Sequence, residues 1–126
     1  MRAVDTNVLV RLITRDDAKQ VAVAEAFVAR GAWVPHLAIA EATWVLASVY
    51  DRDPEAIATA VEMLLSHEHL AVQDAAVVAA AVAQFRRRPR VGFPDCLMVE
   101  AARQAGHTPL GTFDRDLSKI EGAQRL

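Results

Sequence analysis

The sequence predicts an α/β fold in which short parallel strands alternate with helices. Five short apolar segments are separated by longer segments of helical periodicity, and this alternation is typical of βαβ units. The 126 residues suit one compact domain, which we assign to residues 1–126. Apolar residues make up 53% of the chain, and much of that share is Ala, which favours helices packed closely onto another layer.

The first half of the chain contains two of the predicted strands. In order, its segments are strand 2–4, a helix or turn and helix over 7–14, helix 17–30, strand 32–35, helix 37–50 and helix 53–65. We expect the first strand to be buried. Asp16 and Asp17 are N-cap candidates for the second helix, and Gly31 is expected to end it. Pro54 lies in the first turn of its helix, where proline is tolerated.

The second half adds three strands, the last at an edge of the sheet. In order, its segments are strand 69–73, helix 74–88, a loop over 89–94, helix 94–106, strand 108–112, a helical turn over 113–119 and strand 123–126. Asp74 is the N-cap candidate of the first of these helices. Pro94 lies near the start of the second, and Gly106 is expected to end it.

Composition excludes several classes of protein. A single cysteine, Cys96, permits no intramolecular disulfide and fits a reducing cytoplasm. The chain start lacks the apolar region of a signal peptide, and no apolar run is long enough to span a membrane, so we expect a soluble cytoplasmic protein. The four histidines lack metal-ligand spacing, which argues against zinc. A net charge of −2 does not indicate a globally basic nucleic-acid binder.

Four acidic residues occupy positions that suggest a shared site. Asp5 ends the first strand and Asp114 closely follows a later one, and sites of parallel sheets form outside the carboxyl ends of strands. Glu41 has only apolar neighbours three and four residues away along its helix, which is costly for an unpaired carboxylate in a core-facing stripe. Asp95 lies in the first turn of its helix.

Each acid also has a structural interpretation. Glu41 could lie at the exposed edge of its stripe, while the other acids could be ordinary helix caps or helix-start residues. One functional interpretation nevertheless covers all four. Converging carboxylates repel one another and recruit cations, and oxygen-only ligands select Mg²⁺ or Mn²⁺, ions that act on phosphate oxygens.

Four segments carry a family resemblance: VDTNVLVRLI near the start, AEATWVL, GFPDCLMVEAA and GTFDRDL. In this order they resemble the PIN domain and, more narrowly, the VapC toxins of bacterial and archaeal toxin–antitoxin pairs. The resemblance implies a three-layer α/β/α sandwich with a central, mostly parallel sheet of about five strands. It also implies a Mg²⁺- or Mn²⁺-dependent endoribonuclease that cleaves RNA by a metal-activated water and leaves a 5′-phosphate and a 3′-hydroxyl.

The resemblance assigns roles residue by residue. The catalytic and metal-binding acids it implies are Asp5, Glu41, Asp95 and Asp114, with Asn7, Thr112 and Asp116 in supporting positions. The chain departs from the pattern at Pro94, where similar proteins often have a small residue, and Gly92 loosens the same segment. Neither departure removes a ligand.

The implied partners are an RNA substrate, a cognate antitoxin protein and a second copy of the chain. Trp33, Trp44 and Phe27 are expected in the core or at an interface, and an exposed apolar patch would fit both a homodimer and an antitoxin groove. Two alternatives stay open: an RNA-processing nuclease without an antitoxin, and an inactive PIN-like binding module. A haloacid-dehalogenase-type phosphatase is disfavoured because it needs a second Asp where Asn7 stands.

A basic run, RRRPR, covers residues 86–90. It could hold RNA phosphates, since Arg pairs bidentately with phosphate. It could equally be a solvated helix end, where cations suit the helix dipole. We favour the solvated helix end, because nothing in the sequence places the run near the acids.

Overall fold

The computed structural model describes all 126 residues and consists of six helices and five strands. The helices are α1 (Thr6–Thr14), α2 (Ala18–Val28), α3 (His36–Ser48), α4 (Pro54–Ser66), α5 (Ala75–Arg87) and α6 (Phe93–Ala105). The strands are β1 (Arg2–Ala3), β2 (Ala32–Val34), β3 (Leu70–Val72), β4 (Leu110–Thr112) and β5 (Ala123–Arg125). The predicted α/β class is therefore confirmed. None of the helices combines the length and apolar character needed to cross a membrane.

Every strand pairing is parallel, but the strands form two sheets. β2 lies between β1 and β3, while β4 pairs only with β5. The predicted sheet of about five strands is thus divided into a sheet of three strands and a sheet of two. β1 is only two residues long, because the chain turns into α1 at Asp5. It therefore has few backbone groups with which a strand other than β2 could pair.

The core lies between β2 and the packed faces of the helices. Ala32 and Val34 of β2 are fully buried, and Ile39 of α3 and Phe93 of α6 are almost completely buried. Phe93 packs edge-on against Phe85 of α5, with ring centroids 6.2 Å apart. This contact fixes the start of α6, which carries Asp95, against the neighbouring helix.

The prediction that the first strand is buried is wrong for two of its three residues, and of the two locations predicted for Trp33 and Trp44 the core is excluded. Arg2 and Ala3 of β1 are exposed, because β1 is an edge strand of its sheet. Trp33 and Trp44 are not core residues, being 39% and 64% exposed. Phe27 is half-buried and lies beneath the Arg2 guanidinium, 3.9 Å from its ring centroid.

The helix ends follow the predicted capping residues with two differences. Asp17 caps α2 by accepting a hydrogen bond from the Gln20 N–H at 3.0 Å, and Gly106 ends α6 in a left-handed conformation. Asp74 precedes α5, but its side chain accepts no capping hydrogen bond. Residues 89–94 are not a simple loop, because Pro89–Val91 forms a 3-10 turn and α6 already begins at Phe93.

Candidate active site

Asp5 stands where the first strand gives way to the first helix. Val4 is buried, whereas Asp5 is exposed and takes the N-cap position of α1. Its Oδ1 accepts a hydrogen bond from the Val8 N–H at 3.1 Å. This hydrogen bond confirms that Asp5 caps α1. The other carboxylate oxygen, Oδ2, accepts no hydrogen bond from the protein.

Glu41 is joined to the start of α1 by a side-chain hydrogen bond. The Thr6 hydroxyl donates to Glu41 Oε2 at 2.8 Å, so residues 35 positions apart in the chain meet. Because Thr6 directly follows Asp5, this bond brings Glu41 of α3 close to the end of β1. Thr6 was not among the predicted site residues. Its place between Asp5 and Asn7 was the only signal in the sequence.

Of the two interpretations of Glu41, a core-facing position and the exposed edge of its stripe, the structure confirms the second. Glu41 is exposed, and its helix neighbours Leu37 and Trp44 are 63% and 64% exposed. The buried face of α3 is formed instead by Ala38, Ile39, Ala42, Thr43 and Leu46. Exposure removes the desolvation cost that made this acid unusual, so the contact with Thr6 is the structural feature that associates Glu41 with a site.

Asp95 lies in the first turn of α6 and interacts electrostatically with the carboxylate of Asp114. Partial burial raises the pKa of Asp95, and the negative charge of Asp114 raises it further. The two residues come from different segments, the start of α6 and the turn after β4. The structure therefore brings these two predicted acids within electrostatic reach of each other.

Thr112 and Leu117 hold the turn that carries Asp114. The Asp114 N–H donates to the Thr112 hydroxyl at 3.0 Å, and Asp114 Oδ1 accepts from the Leu117 N–H at 2.8 Å. Thr112 thus supports the backbone of an acid, as its predicted position suggests. Leu117 is buried, so this turn is anchored to the core.

None of the four predicted acids has a cationic partner. Half of the chain's 16 acidic residues take part in ion pairs, but Asp5, Glu41, Asp95 and Asp114 do not. Their negative charge is therefore uncompensated by protein groups. Such a set of oxygen donors, with no nitrogen or sulfur, fits hard cations such as Mg²⁺ and Mn²⁺.

The acids are associated two by two rather than as one preformed cluster. Thr6 links the first pair, Asp5 and Glu41, and electrostatic interaction links the second, Asp95 and Asp114. No three acidic, histidine or cysteine side chains of the chain are arranged to hold a metal ion by themselves. Mutual repulsion between uncompensated carboxylates favours such separation.

Comparison with models of known protein families identifies the family of this chain. The family model described as PIN domain matches residues 2–123, a range that includes all four acids. The chain belongs to the PIN domain family. PIN domains are a family of nucleases and are typically metal-dependent. Comparisons with curated proteins and with solved structures gave no match.

Asn7, Asp116 and Cys96 of this PIN domain lie one or two residues from predicted acids along the chain. Asn7 is exposed and, with Asp5, lines a cavity of about 670 Å³ that α1 and α2 border but Glu41 and Asp95 do not. Asp116 pairs with Lys119 at 3.9 Å. Cys96 is fully buried, and burial raises the pKa of its thiol to about 12, so it is an inert core residue as predicted.

Proposed function

We propose that this PIN domain is a metal-dependent endoribonuclease that hydrolyses RNA phosphodiester bonds. The observation that carries the proposal is the set of four acids without cationic partners in a chain of a nuclease family. Asp5, Glu41, Asp95 and Asp114 would hold Mg²⁺ or Mn²⁺ through carboxylate oxygens. When bound, such an ion supplies activation of water and stabilisation of charge on phosphate oxygens.

Protein groups would orient the ligands in this proposal. The Thr6 hydroxyl fixes one oxygen of Glu41 and leaves the other available, and Thr112 fixes the backbone of Asp114. The start of α6 directs its positive dipole end towards Asp95, which favours negative charge there. Burial and Asp114 oppose that effect and raise the pKa of Asp95. A cation near both acids would relieve this repulsion.

We further propose that the protein acts in the cytoplasm as the toxin of a toxin–antitoxin pair. The support is the order of the four segments, which resembles that of VapC toxins. Exposed Leu37 and Trp44 on α3 offer apolar surface for protein contacts, which fits a homodimer or an antitoxin. An RNA-processing nuclease without an antitoxin is the alternative.

The toxin role has a direct test. Induced expression of the chain should arrest growth, and co-expression of a small DNA-binding protein encoded immediately upstream should restore it. If growth continues although the purified chain cleaves RNA, the RNA-processing alternative replaces the toxin role. Light scattering of the purified chain tests the homodimer, and a monomer at all concentrations would exclude it.

The nuclease proposal is tested with purified protein and single-stranded RNA. We expect cleavage with Mn²⁺, none with EDTA, and products with 5′-phosphate and 3′-hydroxyl ends. Asp5→Asn and Asp95→Asn should each lower the cleavage rate at least about a hundredfold while leaving the fold intact. Removing a metal ligand should lower activity at least as much as removing a group that orients the ligand, which lowers it up to about a hundredfold. Asp51→Asn is the matched control, since Asp51 is exposed and unpaired, and Asn tolerates its left-handed conformation. Near wild-type cleavage by either site variant would overturn the assignment.

A further inference from the structure

The basic run 86–90 divides into one paired arginine and three free ones. Arg86 of α5 forms ion pairs with Glu55 and Glu62 of α4, so it holds two helices together. Arg87, Arg88 and Arg90 are exposed and form no ion pair and no side-chain hydrogen bond. Their guanidinium groups are therefore available to a ligand.

The three free arginines line a cavity together with Lys119. This cavity has a volume of about 330 Å³, and Asp116 is its one acidic residue. Asp116 is engaged with Lys119 at 3.9 Å, so the cavity keeps an excess of positive charge from the three arginines. In a chain whose net charge is −2, a cavity lined by several cations is expected to attract an anion.

The same two segments that border this basic cavity carry the second acid pair. Arg90 precedes Asp95 by five residues, in the 3-10 turn that leads into α6. Asp116 follows Asp114 by two residues, in the turn after β4. The sequence does not place the basic run near the acids, but tertiary packing brings the two segments together at the cavity.

We propose that the basic cavity, formed by Arg87, Arg88, Arg90 and Lys119, binds a backbone phosphate of single-stranded RNA next to the bond that is cleaved. The inference rests on the proposed function, since it takes RNA as the substrate. Arginine favours phosphate because its planar guanidinium donates two parallel hydrogen bonds to phosphate oxygens. Contacts of this kind position the strand and carry no base specificity.

The test measures the salt dependence of RNA binding by fluorescence anisotropy, with EDTA present so that no cleavage occurs. Each phosphate contact to a single strand contributes about 0.7 to the slope of log K against log salt. Loss of this one phosphate contact in Arg88→Gln/Arg90→Gln should therefore lower the slope by about 0.7. The control Arg15→Gln/Arg30→Gln also removes two arginines that do not line the cavity, of which Arg15 pairs with Glu25, and it should leave the slope unchanged. Arg15 follows the far end of α1 from Asp5, and Arg30 precedes the start of β2.

A second probe separates phosphate contact from other contacts. An oligonucleotide with uncharged methylphosphonate linkages should bind the wild type and the Arg88→Gln/Arg90→Gln variant with equal affinity. Equal salt slopes for that variant and the wild type on ordinary RNA would overturn the inference, as would a slope reduction of the same size in the control. If the wild type cleaves RNA but the slopes are equal, only this inference fails. If the slopes differ as expected but Mn²⁺ gives no cleavage, only the proposed nuclease activity fails.

Discussion

At the scale of single residues, Thr6 determines how Glu41 is presented. Its hydroxyl is the only protein group that hydrogen-bonds to the Glu41 carboxylate. The sequence predicts both Asp5 and Glu41 as site residues, but their link through Thr6 could not be predicted, since a hydrogen bond across 35 residues depends on how α1 packs against α3. Asp114 and Thr112 were easier to place, because their contact is local.

Thr6→Val should lower the rate of RNA cleavage by about 10- to 100-fold, the usual effect of removing a group that orients a metal ligand. Thr6→Ser keeps the hydroxyl and should restore most of the activity. Thr59→Val is the control, since Thr59 is exposed on α4 and its side chain makes no hydrogen bond. Full activity of Thr6→Val would show that the contact with Glu41 is structural only.

The raised pKa of Asp95 predicts how stability depends on pH in EDTA. Unfolded Asp ionises near pH 3.9, and the folded state holds its proton to a higher pH because of burial and Asp114. Stability is therefore lost as the pH rises through the interval between the two pKa values. Asp95→Asn removes this cost, so its melting temperature relative to the wild type should increase as the pH rises above the ordinary Asp pKa of about 3.9. The opposite trend in circular-dichroism melts would contradict the assigned environment of Asp95.

At the scale of elements, α6 has defined start and end residues. Gly92 has a φ of 84°, which favours glycine, and Pro94 lies in the first turn, where no helical N–H is required. The two departures from the PIN pattern therefore suit the local backbone and leave Asp95 in the first turn. Glycine, proline and aspartate at helix ends mark where helices begin and end, and this is why the sequence predicts the helices and strands well. Burial was predicted less well, because periodicity along α3 shows which residues share a face but not whether another element covers it.

The opposite end of α6 offers a test that separates stability from catalysis. Gly106 has a φ of 81°, and a Cβ there would meet no atom within 4 Å, so only backbone strain opposes a side chain. Gly106→Ala should lower the free energy of unfolding by about 1–2 kcal/mol, measured by urea denaturation. Gly106→Asn should lose less, because Asn tolerates this conformation. Both should keep the specific cleavage rate, and a large loss of rate would show that α6 transmits strain to Asp95.

At the scale of the whole molecule, the predicted acids and the free arginines form distinct groups. The four predicted acids lie at the ends of β1 and β4 and on α3 and α6, and the basic cavity lies beside the segments that carry Asp95 and Asp114. The sequence shows the four acid segments and the basic run as continuous stretches, but it does not associate Lys119 with that run. It could not predict their relation, nor the division of the strands into two sheets, because both depend on contacts between distant segments.

The central claim is that Asp5, Glu41, Asp95 and Asp114 bind one metal centre, and calorimetric titration with Mn²⁺ tests it most directly. The wild type should bind Mn²⁺, and a single amide substitution at any of the four acids should weaken binding at least about tenfold. Asp51→Asn should bind like the wild type, since Asp51 is exposed and is not among the predicted site residues. Wild-type Mn²⁺ affinity in any of the four site variants, or no Mn²⁺ binding by the wild type, would contradict the claim.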